Sequence, residues 1–189
     1  MLNIAGKSRA WRKAASRLNT GIVSRAREPA FYTELGVADT VDGRFDLIVL
    51  HAWLVLEGLR AQRLNDLSQA LTDALFVSFD EGLRDLGAGD MGLGRRMKAM
   101  ADAFYGRLKA YGESADEGAM AEALERNLYR GAEAPHAADV ARYVLAAKAR
   151  LAEEDLASGH VDFGSLPSAI SRSRSPMSSD GWAKPATRS

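Results

Sequence analysis

The chain contains no cysteine. Disulfides, thiolate metal sites and thiol nucleophiles are therefore excluded, and the composition agrees with a reducing compartment. Histidine is nearly as scarce. Only His51, His136 and His160 occur, and none stands in H-x-x-x-H or H-x-x-E-H spacing, so a hydrolytic zinc centre has no support and no metal is expected. The chain also lacks a G-x-S-x-G elbow and a G-x-x-x-x-G-K-[ST] loop. Its glycine-rich run, residues 87–94, joins two expected helices, whereas a Rossmann phosphate loop follows a strand. Asp80, Glu81 and Asp85 are neighbours in sequence and so point to different sides of a helix beside Arg84. No catalytic residue and no cofactor is assigned, and the chain does not read as an enzyme. Long apolar runs are missing too. The longest, Leu47–Leu56, covers only about half of the ~20 residues a membrane-spanning helix needs. Charges interrupt the apolar residues near the start, so no secretory signal is expected.

What is present fits one soluble domain with tails: 189 residues, 47% of them hydrophobic. The net charge of zero conceals an uneven distribution. Residues 1–27 hold seven basic side chains and no acid; residues 28–162 hold 14 basic and 24 acidic ones; residues from 164 on are again basic. Two basic ends on an acidic body suggest contact with something anionic, lipid headgroups or RNA.

The organising element is the run 45–57. Between Leu47 and Leu56 every residue except His51 is apolar. A surface helix keeps a polar face, so this one is expected at the centre of a helical domain, from about Arg44 to Ala61. The pattern continues to Leu59, too long for a typical buried strand. Around it the spacing predicts an all-α bundle of about six helices. A basic amphipathic helix over residues 7–26 carries Trp11, Ala15, Leu18 and Ile22 on one stripe, with Arg9, Arg12, Lys13 and Arg17 around it. Trp with Arg and Lys beside an apolar stripe suits a membrane-surface helix, and equally a helix packed on the domain with a solvated basic face. A short helix runs from Ala30 to Leu35 and stops at Gly36. Asp66 is expected to cap a helix reaching Leu86, with Gly87 as its stop. The next helix, Met91–Tyr111, has a seam of Leu93, Met97, Met100, Phe104 and Tyr111. Ser114 and Glu117 read as a capping box for a helix carrying Met120, Leu124 and Leu128. A last helix presents Val140, Val144, Ala147 and Leu151. From Gly164 the Ser-Arg and proline-containing sequence predicts a disordered tail holding Trp182. The expected division is residues 1–27, a helical domain over 28–163, and the tail 164–189.

His51 requires a partner if it is buried, and Asp80, Tyr105 or Tyr111 could supply one. It is expected to be a satisfied core histidine. Haem ligation is the rival.

Three segments in order carry a resemblance. They are Phe45–Leu59 with His51-x-Trp53; Phe79-Asp80-x-x-Leu83-Arg84-x-Leu86-Gly87; and Arg96-Met97-Lys98-x-Met100 running through Phe104-Tyr105-Gly106-Arg107 to Tyr111. Over roughly residues 40–131 this set resembles the ubiquinol–cytochrome c chaperone family. The resemblance implies an all-α, non-enzymatic assembly chaperone for the cytochrome bc complex, with cytochrome b or another subunit as its partner. On that reading Arg84, Lys98, Tyr105, Arg107 and Tyr111 form the partner face, since Arg and Tyr favour interface hot spots. His51, Trp53, Phe79, Gly87, Phe104 and Gly106 are structural core. Arg9, Trp11, Arg12, Lys13 and Arg17 meet an anionic membrane surface. Mitochondrial members have a long N-terminal extension and a membrane anchor that this chain lacks. The expectation is therefore a bacterial form, cytoplasmic and peripheral at the inner membrane; a eukaryotic member would work in the mitochondrial matrix. Ribosome contact stays open, and DNA is not expected as a partner. Two rival functions remain: a haem or small-molecule protein using His51 and the Met seam, and an RNA-associated protein using the basic ends.

Overall fold

The structure, a computed structural model, describes residues 4–85 and 90–167. Gly87, and the expected tail from residue 168 on with Trp182, lie outside the described residues. Among the described residues there are seven α-helices and no strand: α1 Ile4–Ala26, α2 Ala30–Thr33, α3 Val41–Ala61, α4 Asn65–Asp85, α5 Asp90–Gly112, α6 Glu117–Asn127 and α7 Ala137–Glu153. A 3-10 turn, Leu156–Ser158, follows α7. The all-α architecture read from periodicity is the observed one.

α3 is the hub. It packs against α1, α4, α5 and α7, while α6 lies against α7. Its residues Leu47, Val49, Leu50, Ala52, Leu54, Val55 and Leu59 are fully buried, and Trp53 is nearly so. An apolar run with neighbours on every side therefore replaces the usual amphipathic stripe. The helix starts earlier than the apolar run suggests. Thr40 caps it, its side-chain oxygen accepting from the Gly43 N–H at 3.0 Å. Towards its end, a Cβ added at Gly58 would lie 2.8 Å from the Leu151 carbonyl oxygen, so only glycine lets α7 come this close.

The stripe of α1 is spent on the bundle. Ala15, Leu18 and Ile22 are buried against α4 and α3, and Trp11 is half-buried. α4 contributes Leu67, Leu71, Leu75 and Phe79. Asp66 stands in the first turn of α4, which begins at Asn65. The cap of α6 also differs from expectation. Asp116 accepts from the Ala119 N–H at 2.8 Å, while the Ser114 hydroxyl donates back to the Ala110 carbonyl at the end of α5. A serine still within reach of the preceding helix bonds there, and the next extended residue takes the cap. After α7 the chain runs back along α1, and Phe163 and Leu166 close the core.

Candidate functional site

Two polar clusters pin the interior. The first centres on His51. Its Nδ1–H donates to the Leu47 carbonyl at 2.8 Å, and its Nε2 accepts from the Tyr143 hydroxyl at 2.9 Å. That hydroxyl accepts in turn from Arg25 Nε at 3.0 Å, and Arg25 pairs with Glu28 at 2.7 Å. The rings of Phe31 and Phe163 stand edge-on to the imidazole at 5.3 and 4.9 Å. Burial holds the imidazole neutral, its pKa pushed down to about 3. The same burial pushes the Tyr143 hydroxyl up to about 12. The partner is thus Tyr143 from α7, and not Asp80, Tyr105 or Tyr111: the imidazole leaves α3 on the side facing α7. Both ring nitrogens are engaged, so neither is left for an axial bond to haem iron.

The second cluster centres on Asp46, which is completely buried. Its carboxylate accepts from Arg130 Nε at 2.6 Å and pairs with Arg107 Nη2 at 2.8 Å; Arg130 also reaches Asp42 at 3.0 Å. Burial pushes the Asp46 carboxyl above the usual range, opposed by the two guanidinium groups. Arg130 adopts φ +56, just after α6, which aims its side chain back at α3. Sequence reasoning missed Asp46, Arg130, Tyr143 and Arg25. The one local signal was an acid between two apolar residues, Phe45-Asp46-Leu47, four positions after Asp42.

The surface feature that stands out is aromatic. Phe45, Phe76, Phe79, Phe104 and Tyr105 form a chain of rings across α3, α4 and α5, with centroids 5.2–6.2 Å apart. Burial grades outward along it. Phe104 is fully enclosed, Phe76 half-buried and stacked on Tyr105, and Tyr105 itself 55% exposed. Val77, 58% exposed, lies on the α1 side of α4 and not among these rings. Along the outer part of the hairpin Leu83, Met97 and Met100 are only half-buried. A Cβ at Gly82, Gly92, Gly94 or Gly106 would meet nothing within 4 Å, so these glycines leave the helix surface bare without being required by packing.

The structure divides the expected partner face in two. Arg84, Lys98 and Tyr105 are exposed, Arg84 paired with Asp80 at 2.8 Å and Lys98 with Asp102 at 3.1 Å. Arg107 and Tyr111 are turned inward. Tyr111 is fully buried with its ring 5.6 Å from that of Trp53, and Arg107 is held by Asp46. The reason is helical phase. Phe104, Arg107 and Tyr111 fall three and seven residues apart on the stripe facing α3, whereas Tyr105 stands about 100° round the helix. Gly106 is corrected in the same way: it is exposed and not core. His51, Trp53, Phe79 and Phe104 are buried. On α1, Arg9, Arg12, Lys13 and Arg17 are exposed, and Trp11 packs partly into the bundle.

No helix among the described residues is long and apolar enough to cross a membrane. Among the same residues no group of three or more His, Asp or Glu side chains is placed to hold a metal ion. Fold and site define a class: an all-helical scaffold with a sealed polar interior and an aromatic face left open on its outer hairpin. Residues 33–163 match the family described as Ubiquinol-cytochrome C chaperone, and the chain belongs to that family. It is also similar to a solved structure, that of the Cbp3 homolog from Brucella abortus, with 37% identity and a TM-score of 0.75. The similarity covers 86% of this chain and 94% of that one. No curated protein matches the chain.

Proposed function

We propose that the protein is a non-enzymatic assembly chaperone for the ubiquinol–cytochrome c reductase complex, and that it holds cytochrome b through the outer face of α4 and α5. The family supports the chaperone role. The observation that carries the choice of face is the ring chain that ends in exposed Tyr105 stacked on Phe76. An exposed aromatic anchored by buried rings is pre-organised, so binding costs little side-chain entropy. Arg84 and Lys98, exposed further along α4 and α5, supply a polar rim. Half-buried Met97 and Met100 add an adaptable apolar surface suited to an unfinished membrane-protein client.

The client emerges at a membrane, and α1 suits such a location. Arg9, Lys13 and Arg17 repeat every four residues on an exposed side of the helix. Near an anionic leaflet each contributes about 1 kcal/mol of attraction, lost at high salt. The protein therefore works as a peripheral factor at the membrane, cytoplasmic in a bacterium. The test is genetic. A strain without the gene is assayed for cytochrome b haem absorbance and complex abundance, then complemented with wild type or with Tyr105→Ala. Loss on deletion, restored by wild type and not by Tyr105→Ala, is expected. Unchanged complex levels on deletion would overturn the chaperone reading; full rescue by Tyr105→Ala would overturn the choice of face.

A further inference from the structure

A second surface stands apart from the α4–α5 face, and the reading of it does not depend on cytochrome b. α1 and α4 run parallel. Lys7 Nζ meets Asp66 at 3.2 Å, and twelve residues further along both helices Asn19 Nδ2 donates to Ser78 Oγ at 2.8 Å. Between these cross-links the two helices leave an open groove of about 870 Å³. Twelve helical residues span about 18 Å, the length of three turns.

The groove is chemically two-sided. Its α1 wall carries Lys7 and Arg12; its α4 wall carries Asp66 and Asp73. The floor is apolar and shallow-sided, because Ala70 and Ala74 keep α4 flat opposite the indole of Trp11. Two buried polar atoms of lining residues have no hydrogen-bond partner, the Trp11 Nε1–H and the Asn19 side-chain oxygen. Arg12 is likewise exposed without an ion-pair partner among the described residues.

We propose that this groove is a docking site for one amphipathic helix of a partner protein, with an apolar stripe, one acidic edge and one basic edge. Such a helix packs as a third member beside α1 and α4, its acidic edge against Arg12 and its basic edge against Asp73. Small residues on the α4 wall permit the close approach that helix packing needs. Charge separates this occupant from the others. Residues 168–189 of the chain hold Arg172, Arg174, Lys184 and Arg188 against Asp180 alone, so that segment has no acidic edge to offer the α1 wall. A second copy in an isologous dimer would set the same concave face against itself and leave the groove unfilled. An anionic bilayer would be repelled by the α4 wall.

The test uses the full chain and three fluorescein-labelled helical peptides of about 18 residues, long enough to cover the groove. All carry the same leucine stripe. One has glutamate on one edge and lysine on the other; one has lysine on both; one has glutamate on both. Fluorescence anisotropy should show the two-signed peptide binding at least about tenfold tighter than either control, a gap of about 1.4 kcal/mol. Ala74→Arg should abolish binding by filling the floor, and Tyr105→Ala should leave it unchanged. Asp73→Lys, which keeps the groove open, should shift preference to the all-glutamate peptide. Equal binding of the three peptides, or binding indifferent to both groove variants, would overturn the proposal. So would concentration-dependent dimerisation of the chain, by sedimentation velocity, that Ala74→Arg removes, since the occupant would then be a second copy.

Discussion

The two helices that flank α3 on one side have unlike ends. Near α3 the inward stripe of α4 and α5 is committed: Leu71, Leu75, Phe104 and Tyr111 are buried, and Arg107 answers Asp46. Towards the turn between them Leu93 is still buried, but Met97, Met100 and Leu83 are only half-buried and Gly82, Gly92 and Gly94 leave the surface open. The heptad spacing runs through both halves, with Arg107 at the step between Phe104 and Tyr111. What differs is the presence of a partner element, and that makes one half architecture and the other an available surface.

Four sets of experiments test this contrast. The largest effect is expected at Asp46. Asp46→Ala leaves Arg107 buried without its carboxylate and should destabilise the fold by about 3–5 kcal/mol in urea denaturation. Replacing Asp46 and Arg107 together by leucine and methionine should recover much of that loss. A small effect of Asp46→Ala alone would mean that the interior is wetter than its burial indicates.

Acid should act through His51. Its folded pKa, about 3, lies below the ordinary value of 6.5, so the unfolded chain binds the extra proton first. The stability from the neutral, bonded imidazole is fully present above about pH 6.5 and is lost as pH falls toward 3, by about 2 kcal/mol at pH 5. His51→Gln should flatten that part of the pH–stability curve relative to wild type. A slope unchanged in the variant would assign the acid sensitivity elsewhere.

Two glycines give the sharpest contrast from one substitution. Gly58→Ala places a methyl group against the Leu151 carbonyl and Leu156, and should cost about 1–3 kcal/mol. Gly106→Ala meets open space within a helix and should stabilise by about 0.5–1 kcal/mol. Thermal unfolding of the two variants reads both signs. The smallest stability change is expected for Tyr105→Ala, within about 1 kcal/mol for the loss of an exposed ring's contacts with Phe76 and Phe104, although complementation should fail.

Several features were legible in the sequence because they are local. The apolar run 47–56 marked the hub, Gly36 marked a helix stop through its positive φ, and the Met91–Tyr111 seam marked a helix with one committed stripe. Phase along that seam already placed Arg107 beside Phe104 and Tyr111, yet the preference of Arg and Tyr for interfaces outweighed it. Ser114 matched the capping box, but its hydroxyl lies back over the end of α5, donating to the Ala110 carbonyl, and Asp116 takes the cap. Tyr143 and His51 are 92 residues apart, and Arg130 and Asp46 are 84 apart. Nothing in the local pattern of either partner specifies such pairs.

By itself, then, the sequence determined that the chain is helical, which run lies at its centre, and which family it resembles, since periodicity and motif order are written along the chain. Tertiary structure alone decided that His51 answers to Tyr143, that Asp46 draws two arginines inward, and that α1 and α4 leave a two-signed groove. The direction of a side chain is set by its own helix. Whether it finds a ring, a charge or water there depends on elements that approach from far along the chain, and only packing brings them together.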